Sequence, residues 1–123
     1  MTLLTETSLE PFIALLKTQG RHAVLDVCCG PGDDGLRFVQ AGIHYTGVDP
    51  FDGNVRFAIA RRLSVSVAEP TRLPFAASTF PAIWAVQSLE GLTADQADDV
   101  VRELERVAEP GAPIAVALPP SAG

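Results

Sequence analysis

The chain has 123 residues, 47% apolar and 20% charged, which is enough for one hydrophobic core and typical of an ordinary globular domain. Its formal charge of −6 disfavours partners that present a phosphate backbone or an anionic headgroup layer, so neither nucleic acid nor a membrane is expected to bind. No apolar run reaches spanning length, the first seven residues show no leader pattern, and Cys28 and Cys29 are adjacent rather than spaced for a disulfide or a zinc site. The expectation is therefore a reduced, metal-free, cytoplasmic single domain over residues 1–123.

In chain order, Leu9, Phe12, Ile13 and Leu16 fall on one helical face, with Pro11 tolerable in the first turn and Gly20 as a stop, predicting a helix over 8–18. The apolar run 23–27 carries Asp26 near its end and leads into the glycine-bearing stretch 28–35, as a buried strand running into a tight loop does. A helix is expected over 34–41 with Gly42 behind it, then a strand over 43–48 ending in Asp49-Pro50. A second such unit follows, with a helix over 53–62 and a strand over 64–67. After a proline-rich connection over 70–81, residues 82–86 form another short buried strand. Thr93 and Gln96 make a capping-box pattern ahead of the stripe Ala97, Val100, Val101, Leu104, Val107 and Ala108, predicting the clearest helix of the chain. On that helix Asp95, Asp98, Arg102, Glu103 and Arg106 read as a solvated face. Pro110-Gly111 ends it, and a last strand is expected over Ile114–Leu118.

Strands alternating with helices of this length imply an α/β fold, a doubly wound parallel sheet in three layers. In such sheets ligands bind beyond the carboxyl ends of the strands, which here are the loops after Val27, Val48 and Val67. Gly30 and Gly32 let backbone approach a ligand closely, because no Cβ stands in the way. Asp49 offers a carboxylate that can accept both hydroxyls of a ribose, or alternatively caps its own turn. Glu69 offers an acceptor for an adenine amino group, or is a solvated loop acid. Trp84 reads as core, His22 and His44 as surface histidines at strand edges, and Cys28 as a small buried apolar residue rather than a nucleophile.

The stretches Val24-Leu-Asp-Val-Cys-Cys-Gly-Pro-Gly32, Gly47-Val-Asp-Pro50, Glu69-Pro-Thr-Arg-Leu-Pro-Phe75 and Arg102 to Gly111, in this order and spacing, resemble the class I S-adenosylmethionine-dependent methyltransferases over about residues 22–119. The resemblance implies a Rossmann-like sheet with the five predicted strands in the order 3-2-1-4-5, and S-adenosylmethionine as cofactor with S-adenosylhomocysteine as product. It also implies roles for residues. Asp26, Gly30 and Gly32 would surround the methionine part, with the side chain of Cys28 intruding where the family usually has its first glycine. Asp49 with Pro50 would bind the ribose, Glu69 with Pro70 would border the adenine, and backbone near Gln87 would lie beside the sulfonium. The acceptor would be a small molecule, and no catalytic residue is singled out, because orientation can suffice for methyl transfer.

Members of the family usually continue with another helix and an antiparallel hairpin, both absent from this chain. Without them the strand Ile114–Leu118 would be an unpaired apolar edge, so a homodimer or a partner chain is expected there. Two other readings share these features: a degenerate scaffold subunit acting through that edge, and a shortened piece of a larger enzyme. Gly30-Pro-Gly32-Asp-Asp-Gly35 also fits the dinucleotide fingerprint, but Asp33 and Asp34 would stand where a pyrophosphate must approach, which disfavours a nicotinamide cofactor.

Overall fold

The computed structural model describes residues 2–117. Its elements are β1 (Thr2–Leu4), α1 (Leu9–Thr18), β2 (Ala23–Val27), α2 (Asp33–Gln40), β3 (His44–Asp49), α3 (Asp52–Ala60), β4 (Val65–Val67), β5 (Ile83–Ala85), α4 (Ala94–Val107) and β6 (Pro113–Val116). The strands form one sheet in the order β1-β6-β5-β2-β3-β4, and every pairing is parallel. The five strands expected from the sequence thus take the expected order, and a sixth is added.

That sixth strand is β1, which pairs with β6 in the register Thr2 to Pro113, Leu3 to Ile114 and Leu4 to Ala115. The expectation of an unpaired edge on the last strand is therefore corrected: the edge is covered from within the chain, and β6 is an interior strand. The scaffold reading that depended on this edge loses its support. The last strand also ends at Val116, and Leu118 lies outside the described residues.

The central strand β2 is flanked by β3 and β5, so its side chains are buried on both faces, and the run Val24 to Val27 lies at or below 3% exposure. One face packs Leu25, Val27, Val48, Ile83 and Ile114 against Val100, Leu104 and Val107 of α4. The other packs Val24, Tyr45, Trp84 and Ala115 against α1 and α2, where Phe12 and Phe38 cross edge to face at 6.3 Å. This gives the three layers. α4 begins as its sequence dictates, with the Thr93 side chain accepting from the Gln96 backbone N–H and the Gln96 side chain accepting from that of Thr93.

Two residues assigned to a solvated face of α4 do more. Glu103 accepts from Leu73 N at 2.7 Å, and Arg106 donates to the carbonyls of Leu73 at 3.0 Å and Phe75 at 2.7 Å. The pair, itself joined at 2.6 Å, fastens the proline-rich connection between β4 and β5 to the helix. The Arg106 guanidinium holds the Glu103 carboxyl below its ordinary range. Phe75 and Phe80 of that connection meet edge to face at 4.9 Å, so a segment without regular structure covers part of the sheet.

Candidate cofactor site

The carboxyl ends of β2, β3, β4 and β5 open on one side of the sheet, and two cavities lie there. The smaller, of 140 Å³, is walled by Asp26, Cys28, Cys29, Asp34, Trp84 and Gln87 among others. The larger, of 390 Å³, is walled by the loops after all four strands, including Gly30, Asp49, Glu69 and Ser88. Cys28 and Gln87 belong to both walls, so the two spaces adjoin at that pair. The larger alone is in the size range of small-molecule sites.

Asp49 organises the larger cavity. It is the last residue of β3, buried to 3% exposure, and its Oδ2 accepts from Gly30 N at 2.9 Å while Oδ1 accepts from Phe51 N at 2.9 Å and Asn54 Nδ2 at 3.2 Å. One carboxylate thereby ties the loop after β2 to the start of α3. Of roughly four lone-pair positions it uses three, and the residue is part of the cavity wall. Asp49 thus caps its own turn and also lines the crevice.

Asp26 organises the smaller one. It is at the end of β2, 3% exposed, and accepts from the Tyr45 hydroxyl at 2.7 Å. Burial pushes its carboxyl up to about 8, against the pull of the tyrosine hydrogen bond. Burial and the adjoining Asp26 also push the Tyr45 hydroxyl upward, so the phenol stays the donor. Asp34, in the first turn of α2, accepts from Trp84 Nε1 at 2.9 Å. Trp84 is core, as expected, but its indole N–H also fixes one wall of the cavity.

The loop between them is shaped by backbone conformation. Gly30 has φ 59° and Gly32 φ 100°, both left-handed, and Cys28 adopts φ 60°, a conformation that favours glycine. Cys28 is partly buried rather than core, and its side chain lies in the crevice wall. Burial, then the charges of Asp49, Asp26 and Glu69, push its thiol up to about 12, and burial with Asp26 does the same to Cys29. Both thiols are therefore poor nucleophiles.

Of the residues expected to form the site, Asp26, Cys28, Gly30, Asp49, Pro50, Glu69, Pro70 and Gln87 all line one or both cavities. Gly32 does not. It is the residue ahead of α2, and a Cβ there would overlap the Leu63 side chain, so its absence of a side chain serves packing between loop and α3. The walls also contain Phe51, Asn54, Ser88, Glu90 and Leu92, which sequence reasoning did not single out. Asn54, one helical turn into α3 from Asp49-Pro50, is the member whose position could have been anticipated.

The methyltransferase-domain family model matches residues 24–111. The chain belongs to this family. Among relatives of this methyltransferase-domain chain, methyltransferase GfsG of Streptomyces halstedii is 30% identical over 121 residues, covering 91% of the chain and 43% of GfsG. The PH0226 protein of Pyrococcus horikoshii superposes with a TM-score of 0.75 at 27% identity, over 87% of this chain and 53% of that one. A SAM-dependent methyltransferase of Methanosarcina mazei superposes at 0.69 with 25% identity, over 73% and 49%. The chain thus spans about half the length of the proteins it matches. The cofactor that goes with this methyltransferase family is S-adenosylmethionine, and the charge of the crevice suits it. Asp26, Asp33 and Asp34 line the smaller cavity, Asp49, Glu69 and Glu90 the larger, and no Lys, Arg or His is in either wall among the described residues. A ligand with a sulfonium and an ammonium fits this wall, whereas a pyrophosphate would find no cationic side chain lining it.

Proposed function

We propose that the chain acts as a single S-adenosylmethionine-binding domain and serves methyl transfer to a small-molecule acceptor. The observation that carries this reading is that every charged residue lining the paired cavities at the carboxyl ends of the strands is acidic. The cofactor supplies a methyl group made electrophilic by its sulfonium. The chain's own residues bind and orient. Asp26 would pair with the amino group of the methionine part, beside Gly30 and the Cys28 side chain. Asp49, held by Gly30, Phe51 and Asn54, retains acceptor capacity for a ribose hydroxyl. Pro50, Glu69 and Pro70 border the base, and Gln87, in both walls, marks the junction where the reacting carbon would sit. Gly32 supports the loop from below.

An acceptor would reach the site through the larger cavity, and alignment of the two reactants by these walls would supply the greater part of the rate. Two adjacent free thiols and the absence, among the described residues, of a helix long and apolar enough to cross a membrane support a reducing, cytoplasmic setting. Two copies would associate through the outer edge of β1 instead of through β6.

Calorimetric titration with S-adenosylhomocysteine tests the reading directly: saturable binding is expected, abolished or strongly weakened in Asp49→Ala. Absence of heat at millimolar ligand would reduce the chain to its fold.

A further inference from the structure

The larger cavity has a side that the cofactor roles above leave unused, the segment Ser88 to Leu92 between β5 and α4. Ser88 is not free to meet a ligand through its hydroxyl, which is buried and donates to the Ala85 carbonyl at 2.7 Å. Leu92 contributes only apolar surface. Glu90 is the one charged residue of the segment, exposed, and without a hydrogen bond or ion pair among the described residues. No histidine, lysine or arginine shares the wall.

From this we infer that the acceptor is an amine, held as its ammonium against Glu90, and not a carboxylate, phosphate or alcohol. The inference rests on the methyl-transfer reading of the same crevice. Charge excludes the anions, since Asp49, Glu69 and Glu90 offer them repulsion and no partner. Chemistry disfavours the alcohol, whose proton is far too weakly acidic to pass to a carboxylate, while an ammonium gives up its proton much more readily and the amine so formed attacks through its lone pair. In the step, the ammonium first cedes one proton to the Glu90 carboxylate or to water, the nitrogen lone pair so freed forms the new N–C bond, and the S–C bond breaks. Its electron pair stays on sulfur, which becomes a neutral thioether. The positive charge passes to the methylated nitrogen, which leaves as an ammonium. Glu90 thus favours both the incoming ammonium and the charged product.

The test uses the 123-residue chain saturated with S-adenosylhomocysteine, titrated with benzylamine, benzyl alcohol and benzoate and followed by heteronuclear NMR. Benzylamine is expected to shift the amides of Ser88 to Leu92 and to bind about fivefold tighter than benzyl alcohol, with benzoate weakest. Glu90→Gln should remove the preference for benzylamine while leaving the affinity for S-adenosylhomocysteine unchanged, a control that also reports folding. Equal or tighter binding of benzoate or benzyl alcohol overturns the inference, as does absence of benzylamine binding or an unchanged preference in Glu90→Gln. If S-adenosylhomocysteine itself does not bind, the methyl-transfer reading fails first and carries this one with it.

Discussion

The Tyr45 hydroxyl sits 2.7 Å from Asp26 while its ring fills the space that Gly35 and Gly47 leave open. An ideal Cβ at Gly35 would lie 2.6 Å from the ring, and one at Gly47 would lie 2.8 Å from the hydroxyl. The ring is also stacked on Phe38 at 6.1 Å, so it cannot swing aside without giving up both contacts. Gly35→Ala is therefore expected to cost about 3 kcal/mol of stability, read from the urea midpoint, and to weaken cofactor binding by loosening Asp26. A neutral substitution would show that the ring yields.

The elevated Asp26 carboxyl makes stability depend on pH in a defined direction. Unfolded, it titrates near the ordinary aspartate value of 3.8, whereas folded it retains its proton to about 8. Between those values the unfolded chain binds fewer protons, so this group's contribution to stability falls as pH rises through the window and levels off above it. Asp26→Asn, which can still accept from Tyr45, should flatten that part of the profile and be more stable than the parent at pH 8 by something on the order of 2 kcal/mol. Urea titrations at pH 5, 6.5 and 8 check this.

The same group should couple to the ligand. If the amine of S-adenosylhomocysteine pairs with ionised Asp26, binding releases a proton and tightens as pH rises toward 8. Calorimetry in buffers of different ionisation heat measures the released proton. Asp26→Asn should abolish the release and bind about tenfold more weakly.

Cys28→Gly addresses the side chain that stands between the two cavities. Relief of the left-handed backbone is worth about 1 kcal/mol, nearly offset by the entropy a glycine adds to the unfolded chain, so stability should move by less than about 0.5 kcal/mol. Affinity for S-adenosylhomocysteine should instead rise, by roughly fivefold, as the wall opens. Weaker binding would mean that the thiol contacts the ligand. In the parent protein, with both thiols pushed up to about 12, alkylation by iodoacetamide at pH 7.5 should be slow in the folded state.

Asp49→Asn separates the two duties of that residue. The amide replaces one acceptor oxygen with a donor, so either Gly30 N or the pair Phe51 N and Asn54 loses its partner. A loss of about 2 kcal/mol in stability is expected, together with weaker ligand binding. Asn54→Ala frees one lone pair of Asp49 at little cost, and should change affinity more than stability.

How far the chain could be read in advance follows from which forces act locally. The helix α4 was legible to its first residue because a capping box is a short-range hydrogen-bond pattern and the apolar stripe behind it has helical period. The buried strands β2 and β5 were legible from apolar runs bounded by breakers. β1 was not, because three residues carry no period and become a strand only by pairing with β6, more than a hundred residues away in sequence. In the crevice, Asp26, Asp49 and Glu69 sit where strand ends must put them. Gly32 lines neither cavity wall, and the space its missing Cβ leaves is taken by the Leu63 side chain, a tertiary contact that a loop glycine does not reveal. Glu103 and Arg106 looked like a solvated face because an irregular segment that folds back onto a helix leaves no periodic signature.

The short ribbon ahead of α1 has a practical bearing on any attempt to trim the molecule. Cutting away everything before Leu9 would strip β6 of its neighbour and bare a row of amides and carbonyls along Pro113–Val116. Two such shortened copies could then zip together along their bared margins, and a drop in recoverable protein would trace to that seam even though the residues lining the cofactor crevice had been left intact.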